Sequence, residues 1–226
     1  MTLCLVTDRR RLAGSGAPWQ AQRRQLIAQV RGAVHARVNL IQVRERDLSA
    51  ADLVVLVDEL LGVTRGSATR VVVNDRLDVS LACGADGVHL RGDSMSPAAA
   101  RRLAPRGFLV GRSVHGVDEV HFAAGADYLI AGAVYPTGSK PASTSWLGVD
   151  GLAAIVRAAD VPVLAIGGMN LDRLEEVAGT GAAGVAAIGL FHAAVDPADP
   201  GHAAPVTLAD LVHRMRQRFD STKTAP

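Results

Sequence analysis

Eight short apolar runs recur along the chain, and amphipathic stretches fill most of the gaps between them. The runs are residues 3–7, 38–44, 70–73, 87–90, 108–111, 128–131, 161–166 and 184–187. A short continuous apolar run reads as a strand buried on both faces, as in a parallel sheet covered by helices. Helical periodicity marks residues 19–33, 50–62, 97–103, 150–159, 171–178 and 206–219, with a weaker piece at 77–82. Eight β-then-α units predict a single closed (β/α)8 TIM barrel over residues 1–220; an open doubly wound sheet is the alternative. The chain, at 226 residues with 49% apolar content, has the length and core for one barrel. Residues 221–226 read as a frayed tail, 196–205 as a proline-rich connector, and 9–18 and 136–147 as long loops.

Composition excludes some functions. Lys and Arg number 24 against 22 Asp and Glu, and a net charge of +2 gives no general nucleic-acid surface. No apolar run approaches the roughly 20 residues of a membrane span. No charged leader precedes the first strand. Cys4 and Cys83 lack metal-ligand spacing and read as small core residues suited to a reducing compartment. The expectation is a cytoplasmic protein with a small-molecule partner, no nucleic acid and no membrane.

Two glycine-rich stretches say most about the ligand: Ala165-Ile166-Gly167-Gly168-Met169 and the run from Gly184 to Ile188-Gly189. They fall after the seventh and eighth strands, where backbone N–H groups at a helix start form a phosphate cradle in barrels of this kind. Either stretch alone is equally explained by a tight turn.

Gln42, Arg44 and Arg46 alternate after the second strand and share one face, with Glu45 and Asp47 on the other. They suit an anion, unless Arg44 closes the barrel end on a carboxylate. Asn74-Asp75 ends the third strand; Asp75 is a candidate magnesium ligand or a helix cap. Gly111-Arg112-Ser113-Val114-His115 follows the fifth strand and offers a hydroxyl and an imidazole. His115 is the preferred proton carrier over His89, inside a strand, and His121, inside a helix. Thr137, Ser139 and Lys140, in the loop after the sixth strand, can close over a carboxylate or phosphate.

The order Gln42-x-Arg44-x-Arg46, Asn74-Asp75, Gly84-Ala85-Asp86-Gly87-Val88-His89-Leu90, Ser113-x-His115, Pro136-Thr137-x-Ser139-Lys140, Ile166-Gly167-Gly168 and Gly184 to Gly189 resembles the thiamin phosphate synthase and thiazole tautomerase (TenI) superfamily over nearly the whole chain. The resemblance implies a β/α barrel acting on thiazole phosphate in vitamin B1 synthesis, and a possible homodimer. A synthase would join that phosphate to hydroxymethylpyrimidine diphosphate with magnesium and release pyrophosphate, Asp75 being a metal ligand. A tautomerase would move a proton to aromatise a thiazole carboxylate phosphate, with no cofactor.

Departures from the synthase pattern favour the tautomerase: Arg46 stands where Lys is expected, Ser94 where a second carboxylate is expected with Asp93 one position early, and Gly189 where Ser is usual. On that reading Gly167, Gly168, Ile188 and Gly189 hold the phosphate and Arg44, Ser139 and Lys140 the carboxylate, with Gln42, Arg46, Asn74 and Thr137 lining the site. His115, with Ser113 and Lys140, would carry the chemistry. The synthase is the alternative; a non-catalytic binder of thiazole or thiamin phosphates and a sugar-phosphate isomerase also stay open.

Overall fold

The computed structural model describes residues 1–137, 146–192 and 207–221. Its eight strands are β1 (Thr2–Val6), β2 (Leu40–Val43), β3 (Arg70–Asn74), β4 (Gly87–Leu90), β5 (Leu109–Val114), β6 (Tyr128–Gly132), β7 (Val163–Ile166) and β8 (Gly184–Ala187). All neighbouring pairs are parallel, and β8 returns to β1, so the sheet closes as a barrel in sequence order. The (β/α)8 barrel expected from the sequence is the fold observed.

Strand alternation divides the core into two layers. Leu3, Leu5, Ile41, Val43, Val71 and Val73 point outward and pack under the helices. Cys4, Val6, Leu40, Val72, Tyr128, Ile130, Leu164 and Ala186 form the filling of the barrel itself. A third cluster joins Val88, Leu90 and Val110 to Leu77, Ala100 and Phe108. Burial pushes the Cys4 thiol up to about 12, so it stays a neutral core group.

The helices are α1 (Arg9–Ala13), α2 (Trp19–His35), α3 (Ala50–Thr64), α4 (Leu77–Ala82), α5 (Pro97–Leu103), α6 (Gly148–Ala158), α7 (Leu174–Gly179), α8 (Gly189–His192) and α9 (Leu208–Asp220). Local chemistry sets several starts. Ser49 and Ser96 cap α3 and α5 by accepting from Asp52 N and Ala99 N, and Pro97 enters at the first turn of α5. Thr207 and Asp210 form a reciprocal capping box at α9. Among the described residues no helix is long and apolar enough to cross a membrane.

Several boundaries differ from the sequence expectation. The stretch 9–18 is not all loop, because its first five residues are α1, held by Asp8, whose side chain accepts from Arg11 N. Arg-rich sequence carries no apolar period, so the helix left no signal. β5 continues to Val114, which puts Ser113 on the strand rather than after it. The 171–178 helix opens with a 3-10 turn, Leu171–Arg173, before α7. Asp75 does not cap α4: the N-cap is Arg76, with no side-chain cap bond. Ser221, assigned to the tail, closes the last turn of α9 by donating to Arg218 O at 2.8 Å. The connector 196–205, Val206 and residues 222–226 lie outside the described residues.

Candidate functional site

A cavity of about 480 Å³ opens at the C-terminal ends of the strands. Its floor is the last inward residue of each strand. On β2 to β5 these are Gln42, Asn74, His89 and Ser113; on β6 to β8 and β1 they are Gly132, Ile166, Ala186 and Val6. The alternation therefore gives the mouth one polar half and one apolar half.

The polar half is built from cross-strand bonds. Gln42 donates through Nε2 to Asn74 Oδ1 at 2.9 Å, while its own Oε1 is buried without a partner. His89 is 1% exposed, with Nε2 at 2.9 Å from Ser113 Oγ and Nδ1 at 3.2 Å from the Tyr128 hydroxyl. Burial first, then the Arg112 charge, pushes the His89 imidazole down to about 3, so it is neutral at physiological pH. Gly111 makes this meeting of rings possible, since a Cβ there would lie 2.2 Å from Tyr128 Cζ and 2.6 Å from His89 Nδ1.

Above this floor stand Arg44, Arg46 and Arg91. Burial and the neighbouring Arg46 guanidinium hold Arg44 below its ordinary value, an unfavourable pairing that an anion would relieve. The Asp8 and Glu45 charges offset it only in part, and neither Glu45 nor Asp47 forms an ion pair with Arg44. Glu45 and Asp47 turn to the other face and hold Arg9, with contacts of 2.8 Å to Glu45 Oε2 and 2.5 Å to Asp47 Oδ2. The alternative in which Arg44 closes the barrel on a carboxylate is thus replaced by Arg9 in that part. Arg91 reaches Asp75 Oδ2 at 3.6 Å and also pairs with Asp93.

The apolar half carries the glycine loops. Gly167 and Gly168 have φ of +101° and +64°, which other residues rarely adopt. Their carbonyls are engaged outside the cavity: Gly167 O accepts from Tyr135 N at 3.2 Å, and Gly168 O accepts from Arg173, whose guanidinium lies 4.3 Å over the Tyr135 ring. Among the described residues the loop hydrogen bonds leave the N–H groups of Gly167, Gly168, Ile188 and Gly189 unclaimed. Strands four apart in a closed eight-strand barrel face each other, so these loops lie across the mouth from Asn74 and Arg91.

The structure brings together Gln42, Arg44, Arg46, Asn74, Ser113, His115, Thr137, Gly167, Gly168, Ile188 and Gly189 around one cavity. Ser139 and Lys140 lie outside the described residues. Ser113 is partnered by His89. His115 sits at the rim with Nδ1 at 3.2 Å from Glu119 Oε2, which also accepts from its backbone N–H. His121 belongs to a 3-10 helix, Val117–Ala123, its ring tilted 43° to that of Phe122, and is not among the residues lining the cavity. Sequence reasoning set His89 aside and missed Arg91 and Arg11, which also line the cavity. The visible signals were the placing of Arg91 two residues before Asp93 and of Arg11 in the Arg-rich stretch 9–18.

Magnesium can be tested against these residues. Asp75 Oδ1 is buried with no hydrogen-bond partner while its Oδ2 lies 3.6 Å from Arg91, and Asp93 pairs with the same guanidinium. Among the described residues no group of three His, Cys, Asp or Glu could hold a metal. Magnesium accepts one carboxylate supplemented by water and substrate phosphate oxygens, so Asp75 fits the ion as its single protein ligand.

Fold and site define a (β/α)8 barrel with guanidiniums on one side of its mouth and a glycine cradle on the other. Residues 3–191 match the family model described as thiamine monophosphate synthase. A putative thiamine-phosphate synthase of Geobacter sulfurreducens is 41% identical over 95% of this chain and 96% of its own. The thiamine-phosphate synthase of Methanospirillum hungatei is 41% identical over 76% of this chain and 83% of its own. A thiamine phosphate pyrophosphorylase from Pyrococcus furiosus superposes with a TM-score of 0.76 at 31% identity, covering 98% of this chain and 96% of that one. The chain belongs to the thiamine monophosphate synthase family, among the enzymes of thiamine biosynthesis.

Proposed function

We propose that the protein is a thiamine-phosphate synthase, joining thiazole phosphate to hydroxymethylpyrimidine diphosphate. The observation that carries this reading is the pair of sides suited to anions across one mouth: three guanidiniums on one and, on the other, four backbone N–H groups with no partner among the described residues. A diphosphate bears about three negative charges, and Arg44 and Arg46, which have no ion pair among the described residues, with Arg91 beside them on Asp75 and Asp93, supply more positive charge than one substrate carboxylate needs. The named relatives support the same choice over the tautomerase that the sequence departures favoured.

In this arrangement the monophosphate sits on the N–H groups of Gly167, Gly168, Ile188 and Gly189. The orphaned Gln42 Oε1 accepts from a ring or amino N–H of the pyrimidine, with Asn74 fixing the amide orientation. The new bond joins the thiazole nitrogen to the pyrimidine methylene carbon. The bond from that carbon to the diphosphate oxygen breaks, and its electron pair leaves with pyrophosphate. The three guanidiniums stabilise that developing charge, and Ser113, oriented by neutral His89, offers it a hydroxyl. When bound at Asp75, magnesium would supply further charge neutralisation of the diphosphate. Thr137 lines the same cavity.

Incubation with both precursors and magnesium should yield thiamine phosphate and stoichiometric pyrophosphate. Absence of product with substrates that demonstrably bind would refute the synthase. One observation favours a tautomerase as second reading: the exposed His115 imidazole beside Glu119 at the rim. The condensation needs no base, so His115→Ala should leave thiamine phosphate formation within about threefold of wild type and abolish any deuterium exchange into thiazole carboxylate phosphate.

A further inference from the structure

A guanidinium lies over the glycine loop of β8. A Cβ built on Gly189 would fall 3.0 Å from Arg11 Nη2 and 3.3 Å from its Cζ. The contact follows from the barrel order: β1 pairs with β8, so the helix after β1 stands beside the loop after β8.

Arg11 is an exposed residue, but the helix that bears it is fixed. Asp8 caps that helix through Arg11 N at 3.0 Å, and Arg9 is locked between Glu45 and Asp47 while 4% exposed. Asp47 also occupies the neighbouring Arg10, at 2.7 Å. Among the described residues the Arg11 guanidinium has no hydrogen-bond or ion-pair partner, and it lines the cavity. Nearby, both ring nitrogens of His192 are buried without partners. Burial, and then the Arg11 charge, hold that imidazole below its ordinary value. The Arg11 charge is thus felt inside the site, with the Asp8 carboxylate acting the other way on the same imidazole.

We propose that Arg11 is the charged side-chain ligand of the phosphate monoester, and that Gly189 leaves the space through which its guanidinium reaches the phosphate. This rests on the reading that the monophosphate sits on the glycine loops. Backbone N–H groups alone give neutral hydrogen bonds; a guanidinium adds charge-assisted, bidentate ones. Gly189 is not in a positive-φ conformation, and the atoms a Cβ would meet are the flexible end of Arg11. An alanine there displaces the guanidinium while leaving the fold intact.

The test is calorimetric titration of thiazole phosphate, and of the corresponding thiazole alcohol, into wild type, Arg11→Gln, Gly189→Ala and the double variant, with melting temperatures alongside. Arg11→Gln should weaken thiazole phosphate binding about 10- to 100-fold and leave the alcohol unchanged. Gly189→Ala should weaken it in the same direction, the double variant should lose no more than Arg11→Gln alone, and Arg11→Lys should recover part of the affinity. Unchanged phosphate affinity in Arg11→Gln, equal losses for phosphate and alcohol, or additive losses in the double variant would overturn the proposal alone. No binding of thiazole phosphate by wild type would overturn it together with the monophosphate assignment.

Discussion

Gly111→Ala tests the packing of the barrel floor. The added methyl carbon would lie 2.2 Å from Tyr128 Cζ, 2.4 Å from its hydroxyl and 2.6 Å from His89 Nδ1. Neither ring has an exit, since Tyr128 is 7% and His89 1% exposed and their centroids are 5.6 Å apart. Overpacking of this kind costs about 1–3 kcal/mol, and displacing His89 from its hydroxyl partners leaves buried polar atoms unpaired at about 1–3 kcal/mol more. The sum, about 4 kcal/mol, corresponds to a fall in melting temperature of roughly 10 °C for a chain of this size. Gly62→Ala serves as the opposite case: a Cβ there meets nothing within 4 Å inside α3, so it should raise stability by up to about 1 kcal/mol. Thermal unfolding by circular dichroism, with urea titration as a second measure, reads both. A Gly111→Ala protein melting within about 2 °C of wild type would refute the assigned contacts.

The neutral His89 predicts a pH dependence. Its folded value, about 3, lies below the unfolded 6.5, so the unfolded chain binds the proton. Its contribution is complete above pH 6.5 and is lost as pH falls toward 3, at up to about 1.4 kcal/mol per pH unit. His89→Gln should flatten that part of the urea-stability profile, and an unchanged slope would count against burial of the neutral ring. Asp75→Asn should raise the magnesium concentration needed for half-maximal synthase activity at least about tenfold while leaving the KM for thiazole phosphate near wild type; an unaltered magnesium response would show that Asp75 is not the ligand. Thr207→Ala removes the side-chain arm of the α9 capping box, in which Thr207 Oγ1 accepts from Asp210 N, while the backbone arm to the Asp210 carboxylate stays; the loss should cost about 1 kcal/mol in urea unfolding.

Much of the site could be read in one dimension. The Gln42 and Arg44 spacing, the Asn74 strand end and the glycine pairs point to the same cavity because strands β2, β3, β7 and β8 all end at one mouth. What sequence order could not show is which hydroxyl meets which imidazole. Ser113 and His115 are neighbours along the chain, yet Ser113 is inward on β5 and meets His89 on β4, while His115 has left the strand for Glu119. Arg11 was hidden for a related reason: its importance lies in the closure of β1 on β8, a contact between the two ends of the barrel.

By itself the sequence determined the barrel, through eight apolar runs and their helical spacing, and the glycine loops that suit a phosphate. Burial of apolar surface is proportional to pattern, and pattern is written along the chain. Only the tertiary structure decided that Arg9 takes both Glu45 and Asp47, leaving Arg44 and Arg46 at the cavity without an ion pair among the described residues, that His89 is neutral, and that Arg11 stands over Gly189. Charge pairing and pKa depend on distance and burial, which fall steeply in space and bear no fixed relation to separation along the chain.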